Sequence, residues 1–170
     1  ATGLPVRKEP AVRYERDNPG DLIHVDIKKL GKIPDGGGWR AHGRGSAQDL
    51  QASRERDKHT RAGAGPGRGY SYLHHAVDDH SRLVYSEILA DEKKDTAAGL
   101  WQRAQAFFTE CGITVKQVMT DNGGCYRSHA FARALGGEVK HKFTRPYRPQ
   151  TNGKVERFNR TLMTEWAYAQ

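Results

Sequence analysis

The sequence predicts a mixed α/β domain in which hairpin strands come first and crossover units follow. Three observations predict it: a two-residue alternation early in the chain, a helical apolar stripe near its middle, and short strands alternating with helices towards the end. A chain of 170 residues is long enough for one packed domain and too short to expect two.

The first strand is predicted at residues 22–30, where apolar and polar side chains alternate. The alternating residues are Ile23, His24, Val25, Asp26, Ile27 and Lys28. This pattern predicts a strand with one strongly buried face. Because a carboxylate in mid-strand among apolar neighbours is costly to desolvate, Asp26 is a candidate functional residue.

Two segments that flank this strand show no periodic pattern of apolar residues. Residues 1–19 are polar, contain three prolines and predict an N-terminal linker, which leaves 20–170 as the domain. Residues 31–69 contain GGG, GRG and GAGPGRG, eight Lys or Arg and few large apolar side chains. We interpret them as a flexible insertion that packs little and either follows a polyanion or acts as a spacer.

Beyond the insertion, YSYLHHAVDD and LVYSEIL predict an antiparallel hairpin joined by a turn. His74 and His75 point to opposite faces of its first strand, which favours structural roles over a metal site. A helix capped by Asp95 or Thr96 follows, and Gly112 suits its left-handed end. Its inner stripe is predicted to be Ala97, Leu100, Trp101, Ala104, Phe107 and Phe108.

The last third of the chain predicts two short strands and two helices. The predicted elements are a strand at 113–120, a helix near 128–135, a strand at 138–143 and a final helix from Asn152 to at least Tyr168. The prolines of TRPYRPQTNG exclude regular structure just before the final helix, so that segment is predicted to be a loop.

The charge and cysteine content limit the environment and the partners. A net charge of +8 indicates a polyanionic partner, although a merely basic soluble protein is the alternative. Two cysteines make neither a disulfide framework nor a zinc site and fit a reducing cytoplasm. Without an 18-residue apolar run or a signal peptide, the protein is expected to be soluble, intracellular and away from membranes.

Three acidic residues stand out by their placement. Asp26 lies within the first strand, Asp121 follows a mainly apolar strand directly, and Glu156 occupies the first turns of the last helix. Side chains after such strands gather at one edge of an α/β sheet. Converging carboxylates repel unless a cation neutralises them, and oxygen ligands suit Mg²⁺ or Mn²⁺. Two such ions, about 3.5–4 Å apart, would activate the attacking oxygen and stabilise the leaving oxygen in phosphoryl transfer.

Each acid also has an ordinary structural explanation. Asp121 follows a strand directly, and an aspartate in that position is often a turn residue or a helix cap. Asp26 has His24 and lysines nearby as structural partners, and Glu156 favours a helix N-terminus through the macrodipole. Taken singly, the three positions leave these alternatives open.

The strings around the acids resemble the integrase-core (Asp-Asp-Glu) superfamily: retroviral integrases and, more closely, bacterial insertion-sequence transposases. The matching pieces are GDLIHVDIKKL, VDDHSRLVYSEIL, TDNGGCYRS and TRPYRPQTNGKVERFNRTL. The resemblance implies an RNase H-like fold with a mixed five-stranded sheet flanked by helices. It maps both the catalytic and the metal-binding residues onto Asp26, Asp121 and Glu156.

The sequence departs from the family pattern at several places. Asp121 and Glu156 have 34 residues between them, one fewer than is usual, and the insertion lengthens the gap between Asp26 and Asp121 to 94. Many members carry Lys or Arg where this chain has Met163, so we expect Arg160, one turn after Glu156, to take over that DNA contact. Neither a retroviral zinc module nor a transposase helix-turn-helix is expected within these 170 residues, so sequence-specific recognition of DNA ends is not expected in them.

The resemblance implies hydrolysis at transposon 3′ ends and strand transfer into target DNA, with two Mg²⁺ or Mn²⁺ ions and a homodimer or larger synaptic complex. It also implies a bacterial cytoplasm and association with the nucleoid during reaction. Two alternatives are an RNase H-like nuclease without strand transfer and an inactive DNA-binding relic. A basic strip around Glu156 would position phosphates rather than distinguish bases. The residues expected to contact DNA are Asn122, Lys142, Arg145, Arg148, Lys154, Arg157 and Arg160.

Overall fold

A computed structural model of the chain describes residues 15–32, 38–61, 69–144 and 153–167. Within these ranges five strands and five α-helices alternate much as predicted, and a π-helical turn ends the last helix. The elements are β1 (Ile23–Gly31), α1 (Trp39–His42), α2 (Ala47–Arg61), β2 (Tyr70–Asp78), β3 (Val84–Leu89), α3 (Lys94–Glu110), β4 (Gln117–Thr120), α4 (His129–Leu135), β5 (Lys140–Phe143), α5 (Gly153–Leu162) and the π-helical turn Met163–Ala167.

The strands form one mixed sheet in the order β3-β2-β1-β4-β5. β1 pairs antiparallel with β2, and β2 pairs antiparallel with β3, so the predicted hairpin is confirmed. β4 lies parallel to β1, and β5 lies parallel to β4, as crossover connections through helices require. The predicted five-stranded mixed sheet is therefore confirmed, with β1 at its centre.

Helices cover both faces of the sheet near β1. On one face Ile23 and Val25 join a core with Trp101 and Phe108 of α3, and all four side chains are fully buried. The predicted inner stripe of α3 is confirmed, with Phe107 only partly buried at its margin. On the other face α5 packs against β1 and covers the polar side of that strand, so β1 is buried on both faces where one had been expected.

The predicted cap of α3 is wrong by a few residues. The N-cap is Lys93, and no side chain caps it. Asp91 instead accepts hydrogen bonds from the Lys93 N–H at 3.0 Å and from the Thr96 hydroxyl at 2.6 Å, which orders the turn before the helix. At the other end Gly112 has φ +75°, which confirms the predicted left-handed position.

The insertion contains helix where no regular structure was expected. Ser46 Oγ accepts the Asp49 N–H at 3.2 Å, and the Asp49 carboxylate accepts the Gly45 N–H at 3.0 Å. These two bonds resemble a capping box at the start of α2, and Ala52 on this helix is buried. The expectation of an irregular segment is corrected for 39–42 and 47–61, while its flexibility stays a prediction.

Several predictions fall outside the described residues. They are the linker up to residue 14, the proline-rich segment 145–152 with the predicted helix start at Asn152, and the predicted helix end near Tyr168. Cys111 and Cys125 are free thiols. No helix of the described part of the chain has the length and apolar character needed to cross a membrane.

Candidate active site

Asp26 and Asp121 lie at one cavity because they belong to neighbouring parallel strands. Asp26 is in β1, and Asp121 follows the last residue of β4 directly. The cavity has a volume of about 280 Å³. The residues that line it are Asp26, Ile27, Glu92, Asp121, Gly123, Gly124, Cys125 and Tyr126. The sheet thus brings together two of the three predicted acids.

The Asp26 carboxyl group is in an environment that disfavours its charge. Burial raises its pKa, the nearby charge of Asp121 raises it further, and a hydrogen bond from Asn159 opposes these effects. That hydrogen bond runs from Asn159 Nδ2 to Asp26 Oδ2 and measures 2.9 Å. A cation between the two aspartates would relieve both the burial and the repulsion.

Asp121 is exposed and also organises the turn that follows β4. Its Oδ1 accepts the Gly123 N–H at 2.9 Å, so the structural reading as a turn residue is correct. A Cβ atom at Gly123 would lie 2.9 Å from the same oxygen, so a larger residue there would have to displace the Asp121 carboxylate. The neighbouring Asn122 donates its amide to the Thr144 carbonyl at 2.9 Å and so ties the end of β4 to the end of β5.

Glu156 lies in the first turn of α5, is exposed and is not among the residues that line the cavity. Across the described ranges, no three His, Cys, Asp or Glu side chains converge closely enough to hold a metal ion. The structure therefore places Glu156 on the helix that covers Asp26, without bringing the three predicted acids into contact.

Polar contacts fix α5 onto the sheet at two levels. Near its start, Lys154 Nζ lies 2.6 Å from Asp79 Oδ2. His24 Nε2 lies 2.8 Å from the other oxygen of Asp79, which is fully buried. Burial would raise the pKa of Asp79, but the Lys154 and His24 contacts outweigh it and lower that pKa. His24 thus binds Asp79, and the side chain that donates a hydrogen bond to Asp26 is Asn159 rather than His24 or a lysine.

The second level of contact lies further along α5, beside Asp26. Asn159 reaches Asp26, and the Phe158 ring meets the His75 ring edge-on with centroids 5.2 Å apart. His75 is fully buried, and burial lowers its pKa to about 4, so its ring is neutral near neutral pH. Its neighbour His74 lies on the opposite face of β2 and shares a hydrogen bond of 2.8 Å with the Asp91 carbonyl. The two imidazoles lie on opposite faces of β2, as predicted, and the expectation of structural roles for them stays a prediction.

The residues expected to contact DNA are placed unevenly. Lys142, Arg157 and Arg160 are exposed, whereas the Lys154 ammonium is already held by Asp79. Arg145 and Arg148 lie outside the described residues.

Sequence reasoning missed three residues of the site: Glu92, Tyr126 and Asn159. Asn159 follows Glu156 by three positions, one helical turn, so a partner for a strand carboxylate could have been sought there. Tyr126 is almost fully buried in the cavity wall, and burial raises the pKa of its phenol well above the usual range. No local pattern marks Glu92, which reaches the cavity from the turn before α3.

The side chains around the cavity fit a hard divalent cation. Asp26, Asp121 and Glu92 offer carboxylate oxygens, and among the described residues that line the cavity the one soft donor is the half-buried thiol of Cys125. Burial raises the pKa of that thiol, which keeps it protonated and a poor ligand. Oxygen donors without thiolate suit Mg²⁺ or Mn²⁺ better than zinc.

A central strand with one acid, a parallel neighbour ending in a second and helices on both faces define an RNase H-like domain. The chain belongs to the integrase core domain family: the model for that domain matches residues 16–149, and a second integrase core domain model matches residues 137–170.

Known proteins agree with this assignment. The chain is 35% identical over 97 residues, 56% of its length, to the retrovirus-related Pol polyprotein from transposon TNT 1-94 of Nicotiana tabacum. It is 34% identical over 94 residues, 55% of its length, to the intracisternal A-particle Pol-related polyprotein of the mouse particle MIA14. The matched parts are 7% and 10% of those polyproteins, so the chain spans a tenth of their length or less.

Two solved structures share the fold. A chain of the simian T-cell lymphotropic virus intasome, in complex with the PP2A regulatory subunit B56γ, matches with a TM-score of 0.61 and 21% identity, over 88% of this chain and 41% of that one. The catalytic core domain of HTLV-2 integrase, a dimeric form in complex with magnesium, matches with a TM-score of 0.54 and 16% identity, over 85% of this chain and 68% of that one.

Proposed function

We propose that this chain is the catalytic domain of a DNA transposase, of the bacterial insertion-sequence type, that cuts transposon 3′ ends and joins them to target DNA. The observation that carries the proposal is the pair Asp26 and Asp121, held at one cavity by neighbouring parallel strands of an integrase core. The TDNGG and PQTNGKVERFN strings favour a transposase of this type over other members.

In this proposal Asp26 and Asp121 hold one divalent cation, and Glu156 of α5 completes a second site. When bound, two Mg²⁺ or Mn²⁺ ions supply the positive charge that activates an attacking oxygen and stabilises a leaving oxygen. The partly buried Asp26 contributes a carboxylate that water screens poorly, which strengthens its attraction for cations. Arg157 and Arg160, exposed on the same helix as Glu156, position DNA phosphates.

The chemistry is a direct in-line displacement at phosphorus without a covalent protein intermediate. Water first cleaves the phosphodiester at the transposon end, and the freed 3′-hydroxyl then attacks a target phosphodiester and expels a second 3′-hydroxyl. Joining two ends in concert requires at least a dimer during reaction. The HTLV-2 domain was solved as a dimer, which supports a homodimer or larger assembly. The bacterial cytoplasm as the place of this reaction follows in the proposal from the insertion-sequence resemblance alone.

The test is donor-end joining on plasmid DNA with Mn²⁺, comparing the wild-type chain with Glu156→Gln. Glu165→Gln is the matched control, because Glu165 is equally exposed on the following π-helical turn. Joining that disappears in Glu156→Gln, while DNA binding and the Glu165→Gln activity persist, supports the proposal.

Other outcomes point elsewhere. Equal joining by wild type and Glu156→Gln means that the third carboxylate is misassigned. Metal-dependent cleavage without joining identifies a nuclease of RNase H type. A wild-type chain that binds DNA but neither cleaves nor joins it is an inactive relic.

A further inference from the structure

The surroundings of Asp26 contain a buried polar cluster that metal and DNA binding do not explain. His75 stands directly opposite Asp26 in the pairing of β1 with β2. His75 Nε2 lies 3.9 Å from Asp26 Oδ2, the same oxygen that accepts the Asn159 amide at 2.9 Å. A strand and a helix therefore both present polar groups to one oxygen of Asp26.

The groups in this cluster have unused hydrogen-bonding capacity that is complementary. Both ring nitrogens of His75 and Oδ1 of Asn159 are buried, and none of the three has a hydrogen-bond partner of good geometry among the described residues. The Asn159 side chain is nevertheless close enough to the His75 ring to oppose the effect of burial on the His75 pKa. A neutral imidazole carries one N–H donor, and an amide oxygen is an acceptor. Leaving such groups unpaired in the interior lowers the stability of the fold. A small shift of the ring would let its N–H donate to Asn159 Oδ1 or to Asp26 Oδ2.

An apolar side chain would serve the packing at this place better than a histidine. The His75 ring is fully buried and lies edge-on to Phe158, a setting in which leucine would leave no nitrogen unpaired. Polar groups that are buried at a cost in stability are expected where orientation matters more than stability.

We propose that His75 is a positioning residue that acts through Asn159 and Asp26. It holds Asn159 in the orientation that binds Asp26 Oδ2, and so fixes the direction in which the Asp26 carboxylate faces the cavity. Because Asn159 and Glu156 share one turn of α5, the same contact sets the position of Glu156 relative to Asp26. This inference rests on the proposed function, since Asp26 and Glu156 are its assumed metal ligands.

The test compares His75→Leu and His75→Gln with wild type, using the full 170-residue chain. Leucine keeps the apolar volume and removes every polar contact, whereas glutamine retains one donor. His74→Leu is the matched control, because His74 is also fully buried on β2 but faces away from Asp26. Three quantities are measured: the unfolding temperature, the Mn²⁺ concentration that half-saturates the chain without DNA, and kcat and KM for donor-end joining.

We expect His75→Leu to unfold at the wild-type temperature or above, yet to bind Mn²⁺ and join DNA about 10–100-fold less well, the usual effect of losing a group that orients a metal ligand. The loss should fall on kcat and not on KM for DNA, and His75→Gln should recover part of it. His74→Leu should lower the unfolding temperature without changing the Mn²⁺ half-saturation.

Unchanged kcat and Mn²⁺ half-saturation in His75→Leu overturn the proposal. If that variant does not fold, His75→Gln decides in the same way: reduced Mn²⁺ affinity at the wild-type unfolding temperature supports the role, and wild-type affinity overturns it. If the wild-type chain binds Mn²⁺ but joins no DNA, the transposase proposal fails while the Mn²⁺ comparison still tests His75. A wild-type chain that binds no Mn²⁺ overturns both.

Discussion

The candidate site has one half held by the sheet and another held by a helix, and the two halves depend on different forces. Asp26 and Asp121 take their positions from the parallel pairing of β1 with β4, so backbone hydrogen bonds set the distance between them. Glu156 takes its position from side-chain contacts of α5, chiefly Lys154 with Asp79 and Asn159 with Asp26. The comparison teaches that the position of Glu156 can change with the side-chain contacts of α5, whereas the sheet fixes the positions of Asp26 and Asp121.

The packing of α5 explains this adjustability. Only Val155 and Asn159 are buried on this helix, whereas α3 buries five side chains, including Trp101 and Phe108. A helix with few buried apolar contacts detaches at a lower free energy than one in the main core. The polar contacts of α5 therefore decide whether Glu156 is in place.

The largest effect is expected in the sheet-held half, from Asp26→Asn. If Asp26 is a metal ligand as proposed, cleavage and joining should fall by more than about a hundredfold, since losing a ligand exceeds the loss of a group that orients one. The free energy of unfolding of this variant should instead rise at pH 7. Burial and the charge of Asp121 raise the pKa of Asp26 above its usual 3.8, so the ionised form destabilises the fold at pH 7.

Thermal unfolding of wild type and Asp26→Asn between pH 3 and 7 checks the direction of this change in stability. A raised pKa gives stability that is fully present below the usual pKa and is lost as pH rises through the raised value. Asp26→Asn should therefore unfold at a higher temperature than wild type at pH 7, and the gain should vanish as pH falls below about 4. A variant less stable than wild type at pH 7 would contradict the argument.

The next effect is expected in the helix-held half, from Lys154→Met. Removing Lys154 takes the ammonium from the buried Asp79 carboxylate, which keeps its contacts with His24 and the Arg16 N–H, and should lower the free energy of unfolding by up to about 3 kcal/mol. Urea denaturation measures the loss. Amide hydrogen exchange should accelerate in α5 but not in β1, which would separate the two halves directly.

Two further variants control this experiment. Arg157→Met, an exposed neighbour on α5, should change stability by less than about 0.5 kcal/mol. Adding Asp79→Asn to Lys154→Met should recover part of the loss, because the buried charge is removed along with its partner. If the double variant is no better than Lys154→Met, the ion pair is not the source of the effect.

A smaller effect is expected from Arg160→Ala, which probes the outer surface of the helix-held half. If Arg160 contacts one phosphate, DNA affinity should fall a few-fold, and the slope of log K against log salt should decrease in magnitude by about 0.9. Fluorescence anisotropy at several salt concentrations measures both. Thr161→Ala, also exposed on α5, should change neither, and an unchanged slope in Arg160→Ala would remove it from the DNA contacts.

The smallest effect is expected from Tyr126→Phe, in the cavity wall beside the sheet-held acids. The Tyr126 hydroxyl is buried and has no partner among the described residues, while its ring meets Phe131 with centroids 5.1 Å apart. Phenylalanine keeps the ring contact, so the free energy of unfolding should stay the same or rise by up to about 1 kcal/mol. Tyr85→Phe, which loses a hydrogen bond to Glu87, should instead lower it. A loss of stability in Tyr126→Phe would reveal a hydrogen-bond partner for the hydroxyl.

The sheet-held half was largely predictable from sequence, and the helix-held half was not. Two-residue alternation located β1, and a residue directly after a strand must lie at the sheet edge, as Asp121 does. The contacts of α5 join residues that are distant in the chain: Asn159 and Asp26 are 133 positions apart. The periodicity of the sequence does not predict which side chain of a strand a distant helix will contact. These contacts could therefore be identified only from the packed structure.

The helix α2 was missed for a different reason. Its segment has few apolar residues, so no periodic pattern of apolar residues indicated a helix. The surrounding glycines suggested irregular structure instead. The start of the helix could have been recognised, because Ser46 and Asp49 have the spacing of a capping box. The 12 residues that follow Asp49 contain no glycine or proline, which also permits a helix.

The strand β5 has a consequence for how the protein behaves at high concentration. It pairs only with β4 among the described strands, so within the part of the chain that the structure describes it is an edge strand, to which another strand could add. The exposed ammonium groups of Lys140 and Lys142 repel the same strand of another copy. Neutralising both lysines would remove this repulsion and favour edge-to-edge aggregation of the sheet.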